Sequence, residues 1–212
     1  MKIAVCVEAN PGTAALGATA LALGLDNAEV CWVHAGNDTF APNAVPRGVA
    51  SVVAITGPEL ARPHSQSLAH VLLTAVQRMG CDAIFCGVLS NAAGTGLLGA
   101  ALAVQWNVPF VAQAHAAHVR GKHMHVAVHG ASQIATVALP WPCVVACVPA
   151  SADLPMQEAA PQVRTFTLPE LGIATEAIRR SSESISAPIA LRRTKTVTSV
   201  EALLESLLDR SH

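Results

Sequence analysis

The chain has 212 residues, with 13 Lys+Arg against 14 Asp+Glu for a formal net charge of −1, six Cys and no Tyr. That length fits one domain, or one domain with an appendage, and is ample for a hydrophobic core. Near-neutral charge excludes the basic footprint of a nucleic-acid binder, and 52% hydrophobic residues against 13% charged exclude disorder over most of the chain.

In chain order, the apolar run Lys2–Val7 predicts a strand, and Asn10-Pro11-Gly12 a turn into an Ala/Leu-rich helix over 13–25. Strands are expected over 29–34 and 50–56. The 65–80 stretch reads as a helix, because Leu68, Val71, Leu72, Val76 and Met79 recur at i, i+3 and i+4. A strand over 82–87 then leads through a Gly/Ala/Asn loop into a helix over 95–105. Strands separated by helices imply βαβ units, hence a mostly parallel sheet with helices on both faces. After Pro109 the pattern changes to strands over 110–119, 122–129 and 133–139, with tight turns at Arg120-Gly121 and Gly130-Ala131, and then a strand over 142–148. This is an antiparallel extension of the α/β sheet.

From Pro149 the composition shifts to Pro, Ser, Ala and charge. The expected organisation is an α/β nucleotide-binding core over 1–148 and an extended arm over 149–212. The arm ends in an amphipathic helix at 200–210 carrying Leu203, Leu204, Leu207 and Leu208. An arm without its own core, together with the surplus of apolar residues, predicts a partner chain. No window reaches the roughly 18 uninterrupted apolar residues of a spanning helix, and the N-terminus has no signal-peptide pattern. The six cysteines lack C-x-x-C spacing and lie in or beside apolar runs, which reads as buried, inert thiols. The expected location is cytoplasmic.

Three places offer chemistry. The loop Gly87-Val88-Leu89-Ser90-Asn91-Ala92-Ala93-Gly94-Thr95-Gly96 joins a strand to a helix, where small residues and free N–H groups suit a phosphate. It is neither a Walker A loop nor G-x-G-x-x-G. Asn10-Pro11-Gly12-Thr13 follows the first strand in the same way, so the two loops can face each other across one crevice. Third, His115, His118, His123, His125 and His129 fall within fifteen residues. With Arg120-Gly121 as the turn, His118 would face His123 with His125 on the same side, but no carboxylate stands near to complete a metal site. Solvated or interface histidines are the expected reading, with no metal. Nucleophilic triads and carboxylate pairs find no support, because Ser90 and Ser132 lack an elbow motif and no Asp or Glu lies between Asp82 and Asp153.

Taken together and in order, several segments resemble the beta subunit of electron transfer flavoprotein. These are the first strand, Asn10-Pro11, Arg47-Gly48-Val49-Ala50, and Cys81-Asp82-Ala83-Ile84-Phe85-Cys86-Gly87 with its loop ending in Thr95-Gly96. Val137-Ala138-Leu139-Pro140-Trp141-Pro142-Cys143-Val144-Val145, Leu168-Pro169-Glu170-Leu171-Gly172-Ile173 and the leucine-rich C-terminal helix complete the set. The resemblance implies a Rossmann-like fold and a heterodimer with an alpha subunit that holds most of the FAD. It implies an electron carrier without catalysis of its own, running between a dehydrogenase and a quinone reductase-type acceptor. AMP, or in some branches a second FAD, would sit against Cys6, Asn10, Pro11, Gly12, Thr13, Ala35 and the loop Gly87, Val88, Leu89, Ser90, Asn91, Ala92, Ala93, Gly94 and Thr95. The partner-recognition leucine falls on Leu154, before Pro155. The chain departs from the family in a shorter nucleotide loop without its acidic pair and in a recognition region without its basic residues, which implies a dedicated dehydrogenase. The alternative is a stand-alone adenine-nucleotide-binding protein of the universal-stress type, and a third reading is a His-rich metal-binding module.

Overall fold

Short runs of Val, Ile, Ala and Cys, apolar on both sides, can only be satisfied in strands covered on both faces. The computed structural model describes residues 1–7, 13–37, 40, 45–61, 63–88, 96–130, 133–149, 154–158 and 161–182. Among them are β1 (Lys2–Val7), α1 (Thr13–Leu23), β2 (Glu29–Gly36), β3 (Val49–Thr56), α2 (Ser65–Arg78), β4 (Ala83–Gly87) and α3 (Leu98–Trp106). They are followed by β5 (Phe110–Arg120), β6 (His123–His129), β7 (Ile134–Pro140), β8 (Cys143–Cys147), β9 (Val163–Thr167) and α4 (Thr175–Ser182). The strands form one sheet in the order β7-β6-β5-β8-β4-β1-β2-β3-β9. All neighbours from β5 to β9 are parallel, and β5-β6 and β6-β7 are antiparallel. The expected α/β sheet with an antiparallel extension is present.

Two cores flank the sheet. One packs Ile3, Val5, Trp32, Phe85 and Val145 against Ala18 and Ala22 of α1. The other packs Ala4, Val33, Ile84 and Val144 against Val71, Leu72 and Val76 of α2, Leu102 of α3 and Ile178 of α4. Within the first core the Trp32 indole N–H donates to Thr19 Oγ1 at 3.0 Å, and that hydroxyl donates to the Ala15 carbonyl at 2.8 Å. This pairs the one polar atom that a buried Trp brings inside. Gly99 lets α3 close on the sheet, since a Cβ there would meet Phe110 Cε2 at 2.8 Å and Cys86 Sγ at 3.1 Å.

Three differences from the expected elements have physical causes. The helix expected over 95–105 begins at Leu98, because Gly96 takes φ +65, and it ends at Trp106, where Asn107 turns left-handed at φ 56. Second, residues 163–178, expected as part of an arm without a core, add β9 beside β3 and bury Leu168, Leu171, Ile173 and Ile178 against the α2 side. A five-residue strand whose partner lies over a hundred residues earlier leaves no local period to read. Third, the β5-β6 turn is Gly121-Lys122, with Arg120 opposite His123. Gly121 at φ +62 supplies the left-handed first position of a II′-type turn. His118 therefore faces His125, not His123. The helix expected at 200–210 lies outside the described residues.

Candidate functional site

Chain direction sets where a ligand can enter this sheet. From β1 the strand order runs to β2 and β3 on one side and to β4 on the other. The helices that follow β1 and β4, α1 and α3, lie on opposite faces of the sheet, and open α/β sheets take ligands at the carboxyl ends of such a strand pair. The β1-β4 register pairs Ile3 with Ala83 and Val5 with Phe85. Carried two residues further, it sets Val7 beside Gly87.

Of the residues expected to bind a nucleotide, Cys6, Ala35, Gly87 and Val88 are brought to this carboxyl edge, and Thr13 opens α1 just beyond it. Asn10, Pro11, Gly12 and Leu89, Ser90, Asn91, Ala92, Ala93, Gly94 and Thr95 lie outside the described residues. The floor formed by Cys6, Ala35, Gly87 and Val88 carries no charge. The Val88 N–H is already spent on the Cys147 carbonyl at 2.9 Å. Such a floor suits a flat, uncharged ring, and a phosphate would depend on the loops above it.

Burial pushes the Cys86 thiol up to about 12. Cys6 is raised well above the usual thiol range, first by burial and then by Cys86 and Cys81. Cys147 is raised by burial and by Cys86. All six cysteines are buried and free, so at neutral pH they stay protonated and offer neither nucleophile nor metal ligand.

One residue at this edge escaped the sequence reading. His34, near the end of β2, is buried, packs its ring 5.4 Å from Phe40, and places Nδ1 3.2 Å from the Val7 carbonyl. With its proton on Nδ1, it ties the end of β2 to the end of β1 just below the crevice. A single His in the apolar run Val30-Cys31-Trp32-Val33 was the available signal.

Leu154 and Pro155 do not join this site. The Arg47 N–H donates to the Pro155 carbonyl at 2.7 Å, and Met156 bridges Pro46. Gln157 Nε2 donates to the Pro46 and Val49 carbonyls at 3.0 and 2.8 Å. The segment is thereby strapped to the start of β3, at the amino edge of the sheet. Leu154 is half-buried there and Met156 exposed.

His118, His123, His125 and His129 lie on the β5-β6 extension, whereas His115 adjoins Ala114, which pairs with Cys147 of β8, itself paired with Gly87. Among the described residues no three His, Cys, Asp or Glu side chains are placed to hold a metal ion. A cavity of about 280 Å³ lies between α1 and β5, lined by Gly17, Gly24, Ala114, His115, Ala117 and Val148, the residue that follows the carboxyl end of β8. No helix among the described residues is long and apolar enough to cross a membrane.

A search of curated proteins finds no match. The family model of the electron transfer flavoprotein domain, in contrast, matches residues 6–171, which run from the end of β1 to the turn after β9. With that match over most of its length, and with the switch-point architecture described above, the chain belongs to the electron transfer flavoprotein domain family.

Proposed function

We propose that this chain is the beta subunit of a heterodimeric electron transfer flavoprotein. It would pass electrons from a dehydrogenase to a quinone reductase-type acceptor through FAD held mainly by an alpha subunit. What supports this reading is the family match over residues 6–171 together with the reversal of strand order between β1 and β4. In this reading the subunit holds the alpha chain and shapes the flavin's surroundings, while the redox chemistry belongs to the flavin. Its own crevice takes an adenine nucleotide, AMP, with the ring on the uncharged floor and the phosphate on the loops that follow β1 and β4. Leu154 and Pro155, at the opposite edge, belong to dehydrogenase docking.

The crevice is tested by counting nucleotides released on denaturing the complex purified with its alpha subunit. The parent should release FAD and about one adenine nucleotide. Gly87→Asp sets a charged side chain on the uncharged floor where the ring would lie and should release FAD alone, whereas Gly87→Ala should keep both. Equal adenine nucleotide from Gly87→Asp and parent would remove the crevice from the account.

A further inference from the structure

The α2–α3 layer ends at β5, and the antiparallel extension continues that face of the sheet. Met124, Val126 and Leu139 point to the other face, where they are buried with α1. By alternation, His123, His125, Ala127 and His129 of β6 share the solvent face with His118 and Arg120 of β5. From β7 the same face receives Ile134, Thr136, Ala138 and Pro140, none of them ionisable. Two cross-strand pairs result. The His118 and His125 rings lie nearly parallel, at 16°, with centroids 5.2 Å apart, and those of His115 and His129 are 4.2 Å apart at 31°.

We propose that His118 and His125 form a two-imidazole chelate for a borderline divalent cation of the Cu(II), Ni(II) and Zn(II) class, with water filling the remaining positions. A metal–nitrogen bond of about 2.1 Å at a tetrahedral angle sets two ring centroids roughly 5 Å apart. The His118–His125 centroid spacing is near that figure, but the rings are stacked at 16°, so each must turn about its Cβ–Cγ torsion before a nitrogen of both can lie in plane with a shared ion. The His115–His129 rings stand too close for it, and His115 Nδ1 is buried. The backbone ladder of β5 and β6 fixes the spacing before any ion arrives.

The chemistry also sets the selectivity. The face offers nitrogen and no carboxylate, so Mg(II) and Ca(II), which require oxygen ligands, are rejected. Arg120 and Lys122 stand at the turn beside the pair, and their charge keeps the affinity modest. Buried thiols elsewhere do not compete.

The test is a calorimetric titration of the untagged full-length chain, in the complex in which it purifies, with ZnCl2 and NiCl2 at pH 7.5 and with MgCl2 as control. Saturable binding of Zn(II) and Ni(II) is expected, with none of Mg(II). His118→Gln and His125→Gln should each weaken binding at least about tenfold, and His129→Gln should leave it unchanged. Because these side chains face solvent, melting temperature should not move in any variant. No saturable binding by the parent, or binding that survives His118→Gln and His125→Gln, would overturn the proposal.

Discussion

Inside the α1-side core, three atoms settle the fate of Trp32. Its indole N–H has Thr19 Oγ1 as acceptor, and both residues are fully buried. Thr19→Val keeps the shape and removes the acceptor, leaving a buried donor without a partner. Such a loss costs about 1–3 kcal/mol. Urea unfolding should show a lower midpoint with an unchanged slope; an unchanged midpoint would mean that the pair contributes little. The thiols belong to the same scale. Cys6, Cys86 and Cys147 were legible as buried and inert because each sits in a continuous apolar run. His34 was not, because nothing in the sequence says that the β1 carbonyl beside it needs a donor.

At the scale of elements, the segment after β8 divides. Residues 154–158 are strapped to the start of β3 by main-chain and Gln157 hydrogen bonds, while 163–178 enter the sheet and its core. Ile178 is buried in the first turn of α4, beside the α2 layer. Ile178→Ala should cost about 2–5 kcal/mol and lower a single cooperative transition. A loosely attached arm would instead leave the transition where it is. Leu154→Ala, in the strap, should leave the melting temperature almost unchanged and weaken dehydrogenase docking by about 1–3 kcal/mol, or roughly 5–150-fold. The check is electron-transfer rate against carrier concentration. A fall in melting temperature with unchanged half-saturation would make Leu154 a packing residue.

The same scale explains what the sequence could disclose. β1 to β4 are apolar runs bounded by helical periods and turn residues, so each could be read from its own neighbourhood. β9, Val163-Arg164-Thr165-Phe166-Thr167, has two apolar residues out of phase with a simple alternation, and its strand character comes from β3. The β5-β6 register turned on which residue takes the left-handed position. Gly121 does so as the first of the two loop residues, and a one-residue slip in that choice exchanged the partners of His118. The two segments expected to meet a nucleotide were legible as strand-to-helix junctions. What brings their stems together is the strand order, a property of the whole sheet.

On the scale of the whole molecule, the low charge and 52% hydrophobic content now have a framework to be judged against. Much of that content is consumed by a sheet of nine described strands covered on two sides. Leu97, Val104 and Phe110 around α3 and Ile134 on the edge strand still stand exposed. Apolar surface left at the margins of a filled core is the expected mark of a subunit. The measurement that bears most directly on the account is co-expression of this chain with an electron transfer flavoprotein alpha subunit, followed by size-exclusion chromatography with absorbance detection at flavin wavelengths. The account predicts a one-to-one complex that is yellow from bound FAD, with this chain aggregating or unfolding without a sharp transition when made alone. A colourless, monomeric chain with a sharp thermal transition, eluting apart from the alpha subunit, would contradict it.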